Sequence, residues 1–426
     1  GGGALSFYSQ RDYEAWMASL TPAEQRRWRA KYYKGLGTST AHEAREYFGD
    51  LPKHKVQLEW GGEADGDKID MAFSRARVDD RKVWIREASR GLAEASERDA
   101  AAAQALVAAG GAVAAKGRRR RHATQQAAAA AAAAAALQSA PPALRTFGEF
   151  VSDELVHFSI ADLRRSLPSA IDGLKPTQRK VLHSCFRRRL LGTAAEMKVA
   201  SLAGYCSDVT AYHHGEASLH TAIINLAQDF VGSNNVPLLE SCGQFGTRAE
   251  GGADAASPRY IFTKLAPITP LLYPEADQPI LAYETEDGQQ IEPAHYVPVV
   301  PTLLLNGSNG IGTGWSTLCW GYHPLEVIDN VLAYAEGRPM SELQPWAAGF
   351  EGGIEVEAGA ALEAEGALEG GEPHEAEARA VEDAARPRAP PRRFVSRGRV
   401  QVSDAGEIVI SELPLGVWTS SYKRWL

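Results

Sequence analysis

Sulfur is scarce in this 426-residue chain, which has four cysteines (Cys185, Cys206, Cys242 and Cys319) and four methionines. The cysteines lie far apart and form no C-x-x-C pair. That spacing argues against structural zinc and against a disulfide framework, and it fits a reducing compartment. Long apolar runs are also missing. No stretch reaches the roughly 18 consecutive apolar residues of a membrane span. The nearest, Ala127 to Ala136, is too short and only weakly apolar. The opening GGGALSFYSQ has no initiator Met, no basic start and no apolar signal core, so nothing in it marks secretion. It reads as the interior of a longer protein. An even spread of charge is lacking too. Residues 351–385 hold eleven acidic side chains and one arginine, a net −10 against −8 for the whole chain, so the remainder is slightly basic. Bases concentrate at 164–190, and a locally basic face on a mildly acidic chain is compatible with DNA binding.

What is present is the composition of a soluble protein, with 44% hydrophobic and 23% charged residues, long enough for two or three domains with cores of their own. Two stretches are low-complexity: the Ala-rich 96–145, with KGRRRRH at 116–122, and the Glu/Ala/Gly-rich 355–393, ending in RPRAPPRR. Neither has the aromatic or β-branched content to bury a core surface, and both read as surface insertions. The basic run is either a nuclear localisation signal or a solvated charge run. Ordered sequence lies between them. Thr40 and Glu43 form a capping box for a helix carrying Tyr47 and Phe48. Residues 175–188 have a proline near their start, Pro176, and repeat apolar side chains at 181, 182, 185 and 186, which predicts a helix. A second helix is predicted over 199–209 and a third over 215–232, with Leu219, Ile223, Leu226 and Phe230 on one stripe. The Gly-punctuated run 243–265 suits a β-hairpin or wing. Short helices followed by a hairpin predict a winged-helix layout, and 399–411 reads as a hairpin of a later domain. The expected class is mixed α/β of the α+β kind.

Several motifs have chemical potential. KYYKGLGTST (31–40) offers backbone amides and Lys34 around a Gly-x-Gly turn before a helix; such a turn holds a phosphate or simply connects elements. In AIDGLKPTQRKVL (170–182), Lys175 and Arg179, with Arg165 upstream, are placed to neutralise DNA phosphates, or else to form a solvated helix face. His213 and His214 in AYHHGE are adjacent and diverge, so a two-histidine metal site does not follow; one can bind a phosphate or relay a proton while the other packs. The loop NGSNGIGTGWS (306–316) is neither a Walker loop nor a dinucleotide fingerprint. It is a tight turn, or an apolar tip whose Ile311 wedges between DNA base steps. Arg259–Tyr260 in SPRYIFTKL is either packing or a nucleophile with its charge stabiliser. A free tyrosine is only about 0.1% phenolate at neutral pH, a deficit of roughly 4 kcal/mol. A neighbouring guanidinium favours the phenolate and stabilises the charged transition state of attack on a phosphodiester. A phosphotyrosine would conserve the energy of the broken strand.

In order along the chain, KYYKGLGTST, DGLKPTQRKVL, YHHGE, NLAQDFVGSNN, GQFGTR, SPRYIFT, NGIGTGWS and ISELPLGVWTSSYK resemble the eukaryotic type IIA DNA topoisomerases over roughly three quarters of the sequence. The resemblance fails mainly in the two low-complexity stretches. It implies the C-terminal part of a toprim domain (1–95), a low-complexity linker (96–145), a winged-helix domain with the catalytic tyrosine (146–298) and the start of a tower domain (299–426) with the acidic insertion 355–393. It implies a transient double-strand break through a 5′-phosphotyrosyl bond, passage of a second duplex, and religation. Tyr260 then matches the nucleophile, Arg259 its transition-state partner and His214 the histidine near the scissile phosphate. His213, Lys34, Arg165, Lys175 and Arg179 match DNA-contacting positions, and Ile311 the intercalating residue. Double-stranded DNA, a homodimer, Mg²⁺, ATP and a nuclear location are implied as well. The toprim tail and the tyrosine share one chain, as in the eukaryotic form, whereas gyrase-type enzymes divide them between two chains. The acidic toprim motifs and an ATPase domain are not in this sequence, so the Mg²⁺ and ATP sites are expected outside it. The chain by itself is expected to bind DNA and to cleave it poorly or not at all. The alternative is a catalytically inactive DNA-binding derivative.

Overall fold

The capping box read at Thr40 forms: the Thr40 amide donates to Glu43 at 2.6 Å and the Glu43 amide to the Thr40 hydroxyl at 3.3 Å. It starts α1, Ala41–Gly49. The fold is that of a computed structural model, which describes scattered positions between 5 and 30, residues 39–92 apart from 50 and 52–54, and 144–426 apart from 193–195, 287–288, 358–392 and 404–405. The chain divides into two compact units: 1–164 with 311–315, and 165–310 with 316–426.

In the first unit, strand β1 (Gln57–Glu59) pairs in parallel with β2 (Leu144–Thr146), and α2 (Glu63–Phe73) and α3 (78–92) lie between the two strands in the chain. Thr146 opens the next helical stretch with a second capping box to Glu149. That stretch runs through a π-type turn, Val151–Leu155, into α4, Val156–Ser166. Met71 and Ala72 pack on Val151, and Ile85 packs on Val156 and Ile160, so α2, α3 and α4 share an apolar seam. Buried Asp65 accepts the amides of Gly61 (2.7 Å) and Gly148 (3.0 Å). A Cβ at Gly148 would meet that carboxylate at 2.5 Å, which explains the glycine.

The second unit is built on α5 (Pro176–Arg187), β3 (Met197–Lys198), α6 (Val199–Val209), α7 (Glu216–Ala227), β4 (Leu239–Cys242) and β5 (Phe262–Leu265). β5 is the central strand: it pairs antiparallel with β3 (Lys198 opposite Phe262) and with β4 (Leu239 opposite Leu265). Helix, strand, two helices and a hairpin closing a three-stranded sheet are the winged-helix order. The two stripes read from sequence meet in its core, where Val181, Leu182, Cys185, Leu219 and Ile223 are buried together with Leu202, Cys206 and Leu265.

α7 ends at Ala227, short of the expected 232, and side-chain hydrogen bonding explains why. Gln228 leaves the helix to donate its amide to the Phe245 carbonyl at 2.9 Å. The Asn234 side chain caps the freed carbonyls of Asn225 (2.7 Å) and Gln228 (2.8 Å).

Beyond the sheet come the hairpin β6 (Tyr283–Glu286) and β7 (Gln289–Pro293), and the short helix α8 (Thr302–Asn306). The hairpin β8 (Ser308–Gly312) and β9 (Trp315–Cys319) and helix α9 (Pro324–Ala335) follow. Two antiparallel pairs end the chain, β10 (Gly353–Val356) with β11 (Phe394–Arg397) and β12 (Arg399–Val402) with β13 (Ile408–Glu412), before α10, Thr419–Trp425. β12 and β13 form the hairpin expected at 399–411. Helix and strand are mixed, as expected. Among the described residues no helix is long and apolar enough to cross a membrane.

Candidate functional site

The SPRY stretch enters the fold as a turn leading into the central strand. The Tyr260 amide donates to the Ser257 carbonyl at 2.9 Å, closing the turn. The first two amides of α6 are spent on the same turn: Val199 donates to the Ile261 carbonyl (3.0 Å) and Ala200 to that of Pro258 (3.1 Å). The turn is thus fixed to a helix N-terminus on one side and to β5 on the other. Ile261 is buried beneath it, whereas Arg259 is exposed and Tyr260 is 71% exposed. Tyr273 and Tyr296 stand in contrast. Both are buried, and burial pushes their phenols up, disfavouring the anion. The Tyr260 phenol is instead held outward, with Arg259 its neighbour in the chain.

The loop from Gly243 to Ala256, which delivers this turn, is knitted to itself. The Asp254 carboxylate accepts the amide and the hydroxyl of Thr247, both at 2.8 Å, and the Gln244 side chain at 3.4 Å. The Thr247 amide, then its hydroxyl, hold Asp254 below the usual carboxylate range. The Ala256 amide returns to the Gln244 carbonyl at 2.9 Å. Gly246 (φ 98°) crosses Gly252 so closely that a Cβ would stand 2.5 Å from its Cα. The segment 412–420 grips the loop from outside. Arg248 pairs with Glu412 and donates to the Leu413 carbonyl at 3.0 Å, and the Ser420 amide donates to that of Ala249 at 3.0 Å. The Trp418 indole covers Gly251 and meets Phe230 edge-on at 5.9 Å. Gln228 and Trp418 escaped the sequence reading because their partners are far away in sequence, and Asp254 because Thr247, seven positions earlier, meets it across a loop without helix or strand periodicity. The one local signal was the pairing of Gly251 with Gly252.

The other candidate residues lie on separate elements. His213 and His214 are exposed in the link between α6 and α7; His213 lies 2.9 Å from Glu286, and the His214 ring meets Tyr212 edge-on at 5.3 Å. Arg165 is exposed at the end of α4. Lys175 stands at the N-cap of α5, half-buried, its amide held by the Gln178 side chain at 2.9 Å. Ile311 is on β8, two residues before the Thr313–Gly314 turn, and is 76% exposed. Gly310 beside it is buried where a Cβ would meet the Ser166 carbonyl at 2.6 Å, so the backbone there tolerates no side chain. Lys34 lies outside the described residues, as does KGRRRRH.

Arg179 requires correction. It is buried, not part of a basic surface: its guanidinium makes two hydrogen bonds to Asp172 (2.8 and 2.9 Å) and one to the Leu174 carbonyl (3.0 Å). Asp172, fully buried, also accepts the Tyr296 amide at 2.9 Å. Desolvating a guanidinium requires such a partner, and a group so engaged does not present itself to a phosphate. Lys180 is likewise turned inward, to the Thr210 carbonyl (2.7 Å) and Glu292 (2.9 Å). The exposed bases of this stretch are Arg164, Arg165 and the run Arg187, Arg188 and Arg189.

Fold and site together define a winged-helix protein that presents an arginine–tyrosine pair on a rigid turn. The profile of the DNA gyrase/topoisomerase IV A-subunit family matches residues 165–426, and that of the C-terminal associated domain of TOPRIM matches 2–163. The chain belongs to the type IIA DNA topoisomerase family. It is 41% identical over 422 residues to DNA topoisomerase 2 of Arabidopsis thaliana and 39% identical over 420 to that of Drosophila melanogaster. Each alignment covers 99% of this chain and 24% of the relative, so the chain spans about a quarter of their length. The crystal structure of the Plasmodium falciparum topoisomerase II DNA-binding, cleavage and re-ligation domain superposes with a TM-score of 0.67 at 37% identity. That match covers 100% of this chain and 47% of the other.

Proposed function

We propose that this chain forms the DNA-breaking part of an isomerase that cuts both strands of a duplex, passes a second duplex through the gap and reseals it. The observation that carries the proposal is the exposed Arg259–Tyr260 turn, seated on the N-terminus of α6 within a winged helix. The Tyr260 phenol attacks a backbone phosphorus, a new P–O bond forms to the 5′ side, and the P–O3′ bond breaks. The departing 3′ oxygen takes up a proton, and the phenolic proton passes to a base, for which His214 is the candidate. Arg259 neutralises charge on the pentacoordinate phosphorus, and the positive end of α6 beneath the turn favours an anion at the same place. Religation is the reverse attack. Arg165, Lys175 and His213 bind backbone phosphates, and Ile311 inserts between base steps to bend the duplex. Lys34 is proposed to contact DNA as well.

Among the described residues no group of His, Cys, Asp and Glu side chains is arranged to hold a metal ion. These residues therefore do not fit a Mg²⁺ site, and no step of the chemistry is routed through one here. We assign Mg²⁺ and ATP to parts of the protein outside this chain. Residues 1–95 are proposed as the toprim tail, 146–298 as the winged-helix domain and 299–426 as the start of the tower. The enzyme is proposed to act as a nuclear homodimer in chromosome segregation, a reading supported by the Arabidopsis and Drosophila relatives, which align with 99% of this chain and are eukaryotic.

The test joins this chain in frame to a toprim domain carrying its acidic ligands, adds Mg²⁺ and supercoiled plasmid, and traps covalent DNA–protein adducts in denaturant. The adduct is expected with the native sequence and absent in Tyr260→Phe. An equal yield from Tyr260→Phe would overturn the assignment. DNA binding without any adduct would identify an inactive DNA-binding derivative.

A further inference from the structure

The tip that presents Ile311 is held by a carboxylate from a distant element. Thr313 donates both its amide and its hydroxyl to one oxygen of Asp162, Oδ2, each at 3.0 Å. Asp162 stands on α4, 151 residues earlier in the chain. At the foot of the hairpin Trp315 packs against the cluster of Ile85, Val156 and Ile160, and the Arg86 guanidinium lies 5.8 Å from its ring centre. Gly314 (φ 81°) completes the two-residue turn in the conformation that glycine alone takes without strain. The turn is therefore tied on its Thr313 side to α4 and on its Trp315 side to the seam of α3 and α4. Ile311, two residues before Thr313, is left projecting with no such tie.

That arrangement suits a wedge. Isoleucine, branched at Cβ, has few χ1 states, so the direction of its side chain follows the backbone beneath it. Opening a base step costs on the order of a few kcal/mol. A tip that had to be ordered on binding would add the entropy of that ordering, whereas a pre-oriented tip avoids it. We propose that Asp162 is a positioning residue for DNA bending, fixing the β8–β9 tip so that Ile311 enters the duplex. The inference rests on Ile311 acting as the wedge.

The test uses the full chain with a duplex carrying 2-aminopurine at the bending step, to report unstacking, and dyes at its ends, to report bending. Ile311→Ala is expected to abolish the unstacking signal. Asp162→Ala is expected to lower the bent fraction by about threefold to tenfold. Asp162→Asn keeps a side-chain carbonyl that accepts both Thr313 bonds, so it is expected to bend DNA as the native chain does. Because Asn removes the charge as well, it separates geometry from electrostatics. In the Ile311→Ala background, Asp162→Ala is expected to have no further effect. Should Asp162→Ala fail to fold, Thr313→Val, which removes the hydroxyl donor alone, takes its place with a smaller loss of the same sign.

The proposal is overturned if Asp162→Ala bends DNA normally while Ile311→Ala does not, or if its effect is undiminished in the Ile311→Ala background. Loss of bending in Asp162→Asn equal to that in Asp162→Ala overturns it as well. If Ile311→Ala itself bends normally, the wedge reading fails first and the positioning role with it. The Tyr260 adduct assay is independent of either outcome.

Discussion

At the scale of single residues, the sharpest distinction lies between two cations four positions apart. Lys175 is half-exposed at the start of α5, whereas Arg179 is buried against Asp172. Arg179→Ala removes one partner of a fully buried pair and leaves Asp172 uncompensated. Such losses cost about 3–5 kcal/mol, to be read from denaturant unfolding of the chain. Lys175→Ala is expected to leave unfolding nearly unchanged and to reduce the salt dependence of DNA affinity by about one counterion. A steep salt slope retained by Lys175→Ala would remove Lys175 from the interface. The sequence did hold a signal for Arg179: it is three residues before Leu182 and seven before Phe186, on the apolar stripe itself. Its inward direction was legible, its partner was not.

At the scale of elements, the wing loop is the part most dependent on distant residues. The backbone at Gly251 has φ 64°, and a Cβ there would stand 2.3 Å from the Trp418 indole. Gly251→Ala therefore combines a left-handed backbone with a clash against a ring wedged on Phe230, and is expected to destabilise the second unit by about 1–3 kcal/mol. Trp418→Ala removes the clash, so the double variant should be less destabilised than the sum of the singles. Additive losses in the unfolding of the four proteins would show that Trp418 does not seat the loop. In the proposed function the same loop aims Tyr260, so both single variants should also lower adduct yield.

At the scale of the whole molecule, stability should depend on pH through His183 on α5. Burial first, then the nearby Arg187 and Lys180, lower its pKa to about 4, and its Nε2 is buried with no hydrogen-bond partner. The unfolded chain binds this proton below about 6.5 and the folded chain only below about 4. Between those values the unfolded state holds more protons, so stability falls as pH drops from about 6.5 to 4 and levels off below. The full effect is on the order of 3 kcal/mol. Glu292, raised by burial and only partly offset by Lys180, works in the opposite sense, so a difference between variants is the cleaner measure. His183→Phe, which keeps a ring near Tyr283, is expected to flatten the slope of thermal midpoint against pH in that window. An unchanged slope would mean that His183 is protonated in the folded chain.

Local chemistry made much of this molecule legible in advance. The capping box at Thr40, the apolar stripes of α5 and α7, and the glycine-rich turns each depend on residues within a few positions of one another, where sequence spacing is spatial spacing. The ordered run of motifs likewise carried the family. What the sequence left open needed partners brought together by the fold. Helix α7 stops early because Gln228 reaches Phe245 and Asn234 turns back to cap it. Arg179 points inward because Asp172 is waiting, and the Ile311 tip is held by an aspartate 151 residues away. Tyr260 shows both sides: the SPRYIFT motif named it from sequence, but its exposure on a turn fixed between α6 and β5 follows from hydrogen bonds that only the tertiary structure assembles.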